Sequence, residues 1–200
     1  MAAAPHGLII LAGPAGVGKS TLCDRLVAEV PGFERVITAT TRPPRPNEAD
    51  GRDYHFLSEA EFDRRLAAGD FLEWAWVHRK HRYGTLKSAV LDRLPHTSLV
   101  MNIDVQGVRS IRAAAAGLPL LKRSLVTIFI APDSLDVLRE RLEGRGPLPA
   151  EELARRLQSA ERELAERYSY DYIIHSSTKE QDFRALRDYW EQAQRKLAAS

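Results

Sequence analysis

The sequence predicts an α/β protein with a mostly parallel central sheet that is covered by helices on both faces. Short apolar runs alternate with stretches of helical length along the chain, and this order is typical of βα units. Most of the runs are apolar throughout, which is typical of strands buried on both faces. The 200 residues suffice for one compact domain with a small inserted lid, and we do not expect two independent cores.

The predicted elements follow one another in a regular order, and local signals support several of their ends. Ser58 with Glu61 and Thr178 with Gln181 fit capping boxes, and Gly69 stands where a helix would stop in a left-handed residue. The predicted strands cover residues 7–12, 35–39, 71–77, 98–103, 125–130 and 172–175. The predicted helices cover residues 19–28, 59–68, 85–94, 108–115, 135–142, 150–166 and 179–197.

Two stretches interrupt this alternation. Residues 40–57 are rich in Pro, Arg and Asp and end in a short alternating strand, so we interpret them as part of an inserted substrate-binding segment. Residues 143–149, with the sequence EGRGPLP, are typical of a hinge, because glycine and proline interrupt regular structure. This hinge would join two Arg-rich helices.

The composition argues against several classes of protein. Lys and Arg total 29 and Asp and Glu total 27, a formal net charge of +2, which gives no basis for a general binder of nucleic acid or membrane surfaces. The longest apolar run, residues 8–15, contains Gly and Pro and is far shorter than the ~20 residues of a membrane span. Cys23 is the single cysteine, so no internal disulfide can form, and we interpret it as a small buried apolar residue. We expect a cytoplasmic protein without a targeting segment.

Residues 13–20, GPAGVGKS, fit the pattern G-x-x-x-x-G-K-[ST] between a predicted strand and a predicted helix. Glycines let backbone N–H groups approach phosphate oxygens, and the helix N-terminus adds partial positive charge. We expect Lys19 to neutralise β- and γ-phosphates and Ser20 to offer its hydroxyl to Mg²⁺. An ordinary glycine turn is the alternative, but it does not explain the Lys-Ser pair. The predicted ATP-binding residues are Gly13, Pro14, Ala15, Gly16, Val17, Gly18, Lys19, Ser20 and Thr21.

Asp104 directly follows an apolar predicted strand. Parallel α/β sheets present their ligands at the carboxyl ends of the strands, so Asp104 is a candidate for the Mg²⁺ shell. The alternative is that Asp104 caps the next helix.

The Pro-rich segment carries a candidate phosphate clamp. Arg42 and Arg45 lie three positions apart in a loop stiffened by proline, so both guanidinium groups could converge on one phosphate. Tyr54 and Tyr83 could donate hydroxyls to the same group. Solvated loop residues are the usual alternative for a single arginine, but they do not explain all four together.

Glu73 lies within an apolar predicted strand, between Leu72 and Trp74. A carboxylate is costly to bury unless it has a partner, so Glu73 is a candidate for ligand recognition. The alternative is a surface charge on an alternating strand.

Residues 40–56, TTRPPRPNEADGRDYHF, resemble the signature of the guanylate kinase family, and further family-like pieces follow in order at residues 71–75, 83–85, 103–107, 141–146 and 156–157. The resemblance implies a three-layer P-loop kinase fold that transfers the γ-phosphoryl group of ATP to GMP, with dGMP as a second acceptor. It further implies a core of residues 5–37, 86–136 and 167–200, a GMP-binding insertion of residues 38–85 and a helical lid of residues 137–166. The implied partners are the small molecules ATP and GMP, with no nucleic acid or membrane, and a monomer is compatible with the sequence.

The same resemblance implies roles for individual residues. Guanine would present its N1–H and N2–H₂ groups to Glu73, with Thr38 and Thr85 completing recognition of the base. The implied GMP-binding residues are Thr38, Arg42, Arg45, Tyr54, Glu73, Tyr83, Gly84, Thr85 and Asp104. The implied catalytic residues are Lys19, Arg141, Arg145 and Arg156, the three arginines closing over the phosphates. A solvated basic helix face is the alternative, and we prefer it for Arg139 and Arg155.

The sequence departs from the family pattern at a few positions. Asn47 stands where the family usually has Gly, Asn102 where it usually has Asp, and His175-Ser176 near a usual Asn-Asp pair, and one extra residue lies between Glu73 and Tyr83. Two other functions stay open at this point. A non-catalytic guanylate-kinase-like binding module would be expected to lack the phosphate loop, which is intact here. A kinase for a related phosphorylated sugar or nucleotide does not explain residues 40–56 together with Glu73.

Overall fold

The computed structural model describes residues 5–77, 80–144, 146 and 149–199. Its strands are β1 (Leu8–Ala12), β2 (Phe33–Arg35), β3 (Ala39–Thr40), β4 (His55–Phe56), β5 (Phe71–Val77), β6 (His81–Leu86), β7 (Ser98–Asn102), β8 (Leu125–Pro132) and β9 (Tyr172–Ser176). Its α-helices are α1 (Lys19–Glu29), α2 (Glu59–Ala67), α3 (Lys87–Leu91), α4 (Val105–Ala115), α5 (Pro119–Ser124), α6 (Leu135–Glu143), α7 (Ala150–Ala165) and α8 (Lys179–Ala198).

A five-stranded parallel sheet with the order β2-β7-β1-β8-β9 forms the core. The residues of β1 are fully buried: Ile9 and Leu11 contact the layer formed by α1, α6, α7 and α8, whereas Leu8 and Ile10 contact the layer formed by α3, α4 and α5. Burial on both faces explains why this strand is apolar throughout. The predicted fold class, a three-layer arrangement with a parallel central sheet, is confirmed.

A second, four-stranded sheet with the order β4-β3-β6-β5 is built from the segment between β2 and α3. β6 runs antiparallel to both β3 and β5. Helix α2 covers the sheet, and Phe62 of this helix stacks on Phe71 of β5 with 4.4 Å between the ring centroids. This small apolar cluster holds the inserted segment together.

The structure differs from the predicted elements in three places. Residues 35–39 do not form one strand, because the chain changes from the parallel sheet to the second sheet between Arg35 and Ala39. Strand β6 was not predicted, since its polar sequence HRYGTL lacks a clear alternation, and it takes up the first two residues of the helix predicted at 85–94. Helix α5 was not predicted, because its six residues are too few to show a helical periodic pattern.

The predicted N-caps and the predicted stop at Gly69 are confirmed, but the carboxylate of Glu61 bonds Arg64 and Arg65 and does not complete a capping box. Ser58 accepts a hydrogen bond of 3.1 Å from the backbone N–H of Glu61, and Thr178 accepts one of 3.2 Å from that of Gln181. Gly69 has a φ of 72°. Within the ranges given above, none of the helices combines the length and apolar character that crossing a bilayer requires.

Candidate active site

The phosphate loop lies between β1 and α1, as predicted. Three of its glycines have positive φ, with 134° at Gly13, 96° at Gly16 and 100° at Gly18, a region that side chains with a Cβ rarely occupy. A Cβ atom on Gly13 would collide with the carbonyl oxygen of Ile130, so glycine is required there by space as well as by conformation. The loop leads directly into the N-terminus of α1, where backbone N–H groups and partial positive charge favour an anion.

Lys19 is the first residue of α1, and its side chain folds back over the loop. Its Nζ donates hydrogen bonds to the carbonyl oxygens of Gly13, at 2.5 Å, and Pro14, at 2.9 Å. The side chain of Lys19, at the end of the loop, is thereby bonded to the first two residues of the loop. The positive charge is held where phosphates bound by the loop would meet it.

Ser20 and Asp104 are the candidate metal ligands. Ser20 is exposed in the first turn of α1. Asp104 caps α4, because its Oδ1 accepts a hydrogen bond of 2.8 Å from the N–H of Gly107. The described residues contain no group of three or more His, Cys, Asp or Glu side chains that could hold a metal ion. Two separate oxygen donors fit Mg²⁺, which keeps several waters and binds largely through substrate phosphates.

A cleft of about 530 Å³ opens beside the phosphate loop, and we call it the loop-side cleft. Its walls include Gly16, Thr21, Arg141, Ser177 and Asp182. Arg141 reaches from α6 across to the end of β9, where it donates hydrogen bonds of 2.9 Å to Oγ of Ser176 and 3.2 Å to the carbonyl oxygen of Ser177. Among the implied catalytic arginines, Arg141 thus lies in the wall of this cleft.

A second cavity, of about 150 Å³, lies between the second sheet and the end of β7, and we call it the Glu73 pocket. The structure brings together residues that are far apart in the sequence, because β7 ends opposite strands β5 and β6. Of the implied GMP-binding residues, those that line the pocket are Thr38, Tyr54, Glu73, Tyr83, Gly84 and Asp104.

Glu73 is the buried acid of this pocket. Thr85, its partner across β5 and β6, donates a hydrogen bond of 2.6 Å to Oε1 of Glu73. The pKa of Glu73 is raised to about 7, chiefly because the group is buried; the hydrogen bond from Thr85 lowers the pKa, and the negative charge of Asp104 adds a smaller rise. A poorly solvated carboxylate of this kind favours a ligand that brings N–H donors.

Gly84 allows the close approach of the strands behind the pocket. A Cβ atom at this position would lie 2.8 Å from Cδ1 of Phe71 and 2.9 Å from the carbonyl oxygen of Glu73. The second contact is with backbone, which has little freedom to move.

Arg42 is the centre of the candidate phosphate clamp. Its Nε donates a hydrogen bond of 3.0 Å to the hydroxyl of Tyr83, and its two terminal nitrogens donate bonds of 2.9 and 3.0 Å to the carboxylate of Glu48. The guanidinium carbon lies 5.4 Å from the ring centroid of Tyr54. Arg45 is exposed on the same turn, and its backbone N–H donates a bond of 2.8 Å to Glu48. Arg42 therefore lies close to both Tyr54 and Tyr83.

Glu48 was part of the recognised signature, but the sequence assigned it no role. In the structure it orients Arg42 and fixes the turn that carries Arg45. The hydrogen bonds from Arg42 lower the pKa of Glu48, so this carboxylate stays ionised. The spacing of six residues between Arg42 and Glu48 across a Pro-rich turn gave no signal for the pairing.

The helices of the predicted lid carry the remaining candidates. Arg156 donates a hydrogen bond of 2.8 Å to Glu152 one turn earlier on α7, so it is paired within its own helix. Arg145 lies outside the described residues. Glu163, on the half-buried side of α7, is close enough to Lys19 for the lysine charge to lower its pKa, against a larger rise caused by burial. Glu163 therefore lies within electrostatic reach of Lys19.

Comparisons with known proteins identify the family of this chain. A family model described as guanylate kinase matches residues 6–193. A guanylate kinase from Bifidobacterium longum is 45% identical over 184 residues, which cover 92% of this chain and 91% of that protein. One from Symbiobacterium thermophilum is 41% identical over 172 residues, which cover 85% of this chain and 78% of that protein.

The crystal structure of guanylate kinase from Anaplasma phagocytophilum is similar in fold. Its TM-score is 0.71 at 24% sequence identity, and the match covers 96% of this chain and 87% of that chain. Residues 6–193, which the family model matches, include the phosphate loop and the strands that form the Glu73 pocket.

Proposed function

Because the chain belongs to the guanylate kinase family, we propose that it transfers the γ-phosphoryl group of ATP to GMP and, as a second acceptor, to dGMP. The products are ADP and GDP or dGDP. The observation that carries this proposal is the placement of the Glu73 pocket and the phosphate loop at the same end of the parallel sheet, since Asp104 at the end of β7 lines the pocket and β1, beside it, leads into the loop.

ATP is assigned to the loop and the loop-side cleft. The N–H groups of residues 13–20 and the ammonium of Lys19 would hold its phosphates. Ser20 and Asp104 would hold Mg²⁺, which when bound would supply positive charge to the phosphates of ATP. The rest of the nucleotide then extends into the cleft lined by Thr21 and Arg141.

GMP is assigned to the Glu73 pocket and the clamp. Arg42, Arg45, Tyr54 and Tyr83 would bind its phosphate, and Glu73 would accept hydrogen bonds from N1–H and N2–H₂ of guanine. The hydroxyl of Thr85 would orient Glu73 through its hydrogen bond to Oε1. Thr38 and Gly84 also line the pocket.

The chemistry needs no general base. The second pKa of a phosphate monoester is about 6, so the attacking oxygen of GMP is already largely ionised at neutral pH. Catalysis then rests on alignment of the two phosphates and on compensation of the charge that spreads over the transferred group. We assign the compensation to Lys19 and to Arg141, Arg145 and Arg156 of the lid.

The division into core, GMP-binding insertion (residues 38–85) and lid (residues 137–166) is part of the proposal. It is supported by the separate apolar cluster of the second sheet. A cytoplasmic location, a monomeric state and the absence of nucleic-acid and membrane partners stay predictions.

The decisive experiment is an ADP-release assay with the purified chain, ATP and a panel of nucleoside monophosphates. We expect release with GMP and dGMP and little with AMP, CMP or UMP. No release with any monophosphate, together with binding of a peptide, would favour a binding module. Release only with other phosphorylated acceptors would favour a different kinase.

A further inference from the structure

A buried carboxylate lies in the wall of the loop-side cleft, on the side opposite the phosphate loop. Asp182, in the first turns of α8, is 7% exposed and lines the cleft. Its Oδ2 accepts a hydrogen bond of 2.9 Å from the hydroxyl of Ser176, and its Oδ1 accepts one of 2.8 Å from the backbone N–H of Ser177. No sequence motif predicts a function for Asp182.

Ser176 joins Asp182 to Arg141. Its hydroxyl is fully buried and also lies 2.9 Å from a terminal nitrogen of Arg141. A guanidinium can only donate and a carboxylate can only accept, so the direction of both bonds is fixed. Arg141 donates to Ser176, and Ser176 donates to Asp182.

We propose that Asp182 is a positioning residue for ATP, which holds the guanidinium of Arg141 in the wall of the loop-side cleft through the hydroxyl of Ser176. The proposal rests on the proposed assignment of this cleft to ATP. Arg141 comes from α6, whereas Ser176 and Asp182 belong to β9 and α8. We call the two hydrogen bonds from Arg141 to Ser176 and from Ser176 to Asp182 the relay. The relay orients the flexible side chain of Arg141 before the nucleotide binds, which reduces the entropy that binding costs.

The relay requires a carboxylate and does not tolerate an amide. If the oxygen of an asparagine at position 182 accepted from Ser177, its NH₂ group would face Ser176, and the serine would lose its acceptor. If the amide were turned over, the NH₂ group would face the N–H of Ser177. One donor remains unpaired in either orientation, and an unpaired buried donor is costly.

The test compares Asp182→Asn, Ser176→Ala and Arg141→Ala by titration calorimetry with ADP and by steady-state kinetics. We expect each variant to weaken ADP and raise the KM for ATP about tenfold, the scale of one charge-assisted hydrogen bond. The KM for GMP should change far less for Asp182→Asn and Ser176→Ala. Asp188→Asn, an exposed carboxylate on the same helix, is the matched control and should behave as the wild type.

A double variant separates positioning from general stabilisation. If Asp182 acts through Arg141, then Arg141→Ala with Asp182→Asn should bind ADP no more weakly than Arg141→Ala alone. Additive losses, wild-type ADP binding by Asp182→Asn, or equal changes in the KM for ATP and GMP would overturn the proposal. If Asp182→Asn does not fold, the same ADP titrations and kinetics on Ser176→Ala test the proposal. Wild-type binding of ADP without phosphorylation of GMP would instead contradict the proposed function, and the ADP titrations would still test the relay.

Discussion

Thr85 donates a hydrogen bond of 2.6 Å to Oε1 of Glu73, and the two residues are direct partners across β5 and β6. Thr85 is fully buried, whereas Glu73 lines the pocket. The hydroxyl of Thr85 therefore bonds the carboxylate from the buried side. The bond fixes one acceptor and orients the group towards the pocket. A base with two adjacent N–H donors fits this arrangement.

Replacing Glu73 by Gln should impair use of GMP and compress the ratio of kcat/KM between GMP and AMP. If the amide oxygen accepts from Thr85, the amide NH₂ group faces the donors of guanine. A site built to hydrogen-bond its substrate rejects an analogue that cannot pair by about 10⁴ or more, so the wild-type ratio should be of this order, with IMP between the two. Steady-state kinetics with GMP, IMP and AMP measures this ratio in the wild type and in Glu73→Gln.

The control for this variant is Glu191→Gln, an exposed acid on α8, which should leave the ratio unchanged. A wild-type ratio in Glu73→Gln would mean that the carboxylate does not read the base and that Thr38 or Thr85 does.

The pH dependence of GMP binding should also report on Glu73. Burial raises the pKa of this carboxyl to about 7, and only the ionised form accepts both N–H groups of guanine. The dissociation constant of GMP should therefore fall as the pH rises through about 7. Calorimetry between about pH 6.5 and 8, where the phosphate of GMP is already mostly ionised, measures this, and Glu73→Gln should show a flat profile.

The same group should influence the stability of the fold. Glutamate in an unfolded chain loses its proton near pH 4.3, and folded Glu73 keeps its proton to about pH 7. The folded state binds more protons in this window, so this residue makes the free energy of unfolding fall as the pH rises from about 4.3 to about 7. The stability of Glu73→Gln relative to wild type should increase over that window in urea denaturation.

The residues that the sequence identified and those that it missed differ in a physical respect. The phosphate loop is a local motif, in which neighbouring residues fix the backbone, so residues 13–20 could be predicted together with their strand and helix. Glu73 was conspicuous because a carboxylate interrupts an apolar strand. The pairing of Arg42 with Glu48 depends on the exact path of a loop, and the relay from Arg141 to Asp182 joins parts of the chain that only the fold brings together.

The backbone contact of Gly84 should make this position intolerant of alanine. The added Cβ atom would lie 2.9 Å from the carbonyl oxygen of Glu73 and 2.8 Å from Phe71, and overpacking of this kind typically costs about 1–3 kcal/mol. Chemical denaturation should show this loss, along with weaker GMP binding. Gly117→Ala is the control, because the nearest atom to its Cβ is 3.9 Å away, and wild-type stability of Gly84→Ala would contradict the argument.

Lys19→Ala should lower kcat severely without unfolding the protein. The ammonium lies over the phosphate loop, bonded to the carbonyl oxygens of Gly13 and Pro14, where charge develops during phosphoryl transfer. Loss of one preorganised group of this type costs about 10²–10³ in rate. Circular dichroism checks the fold, Lys122→Ala on α5 is a distant control, and a kcat close to wild type would exclude the proposed role.

The clamp predicts a difference between the two substrates. Arg42→Ala and Arg45→Ala should weaken GMP far more than ATP, since both arginines lie in the inserted segment and the hydroxyl of Tyr83 that Arg42 contacts lines the Glu73 pocket. Arg42→Lys separates the effect of charge from that of geometry. Lysine keeps the positive charge but lacks the planar set of donors with which Arg42 bonds Glu48 and Tyr83 at the same time. We expect Arg42→Lys to recover only a small part of the GMP affinity lost in Arg42→Ala. Titration calorimetry with GMP and ADP on all three variants measures this, and equal losses for both nucleotides would show that the arginines do not form a site for the GMP phosphate.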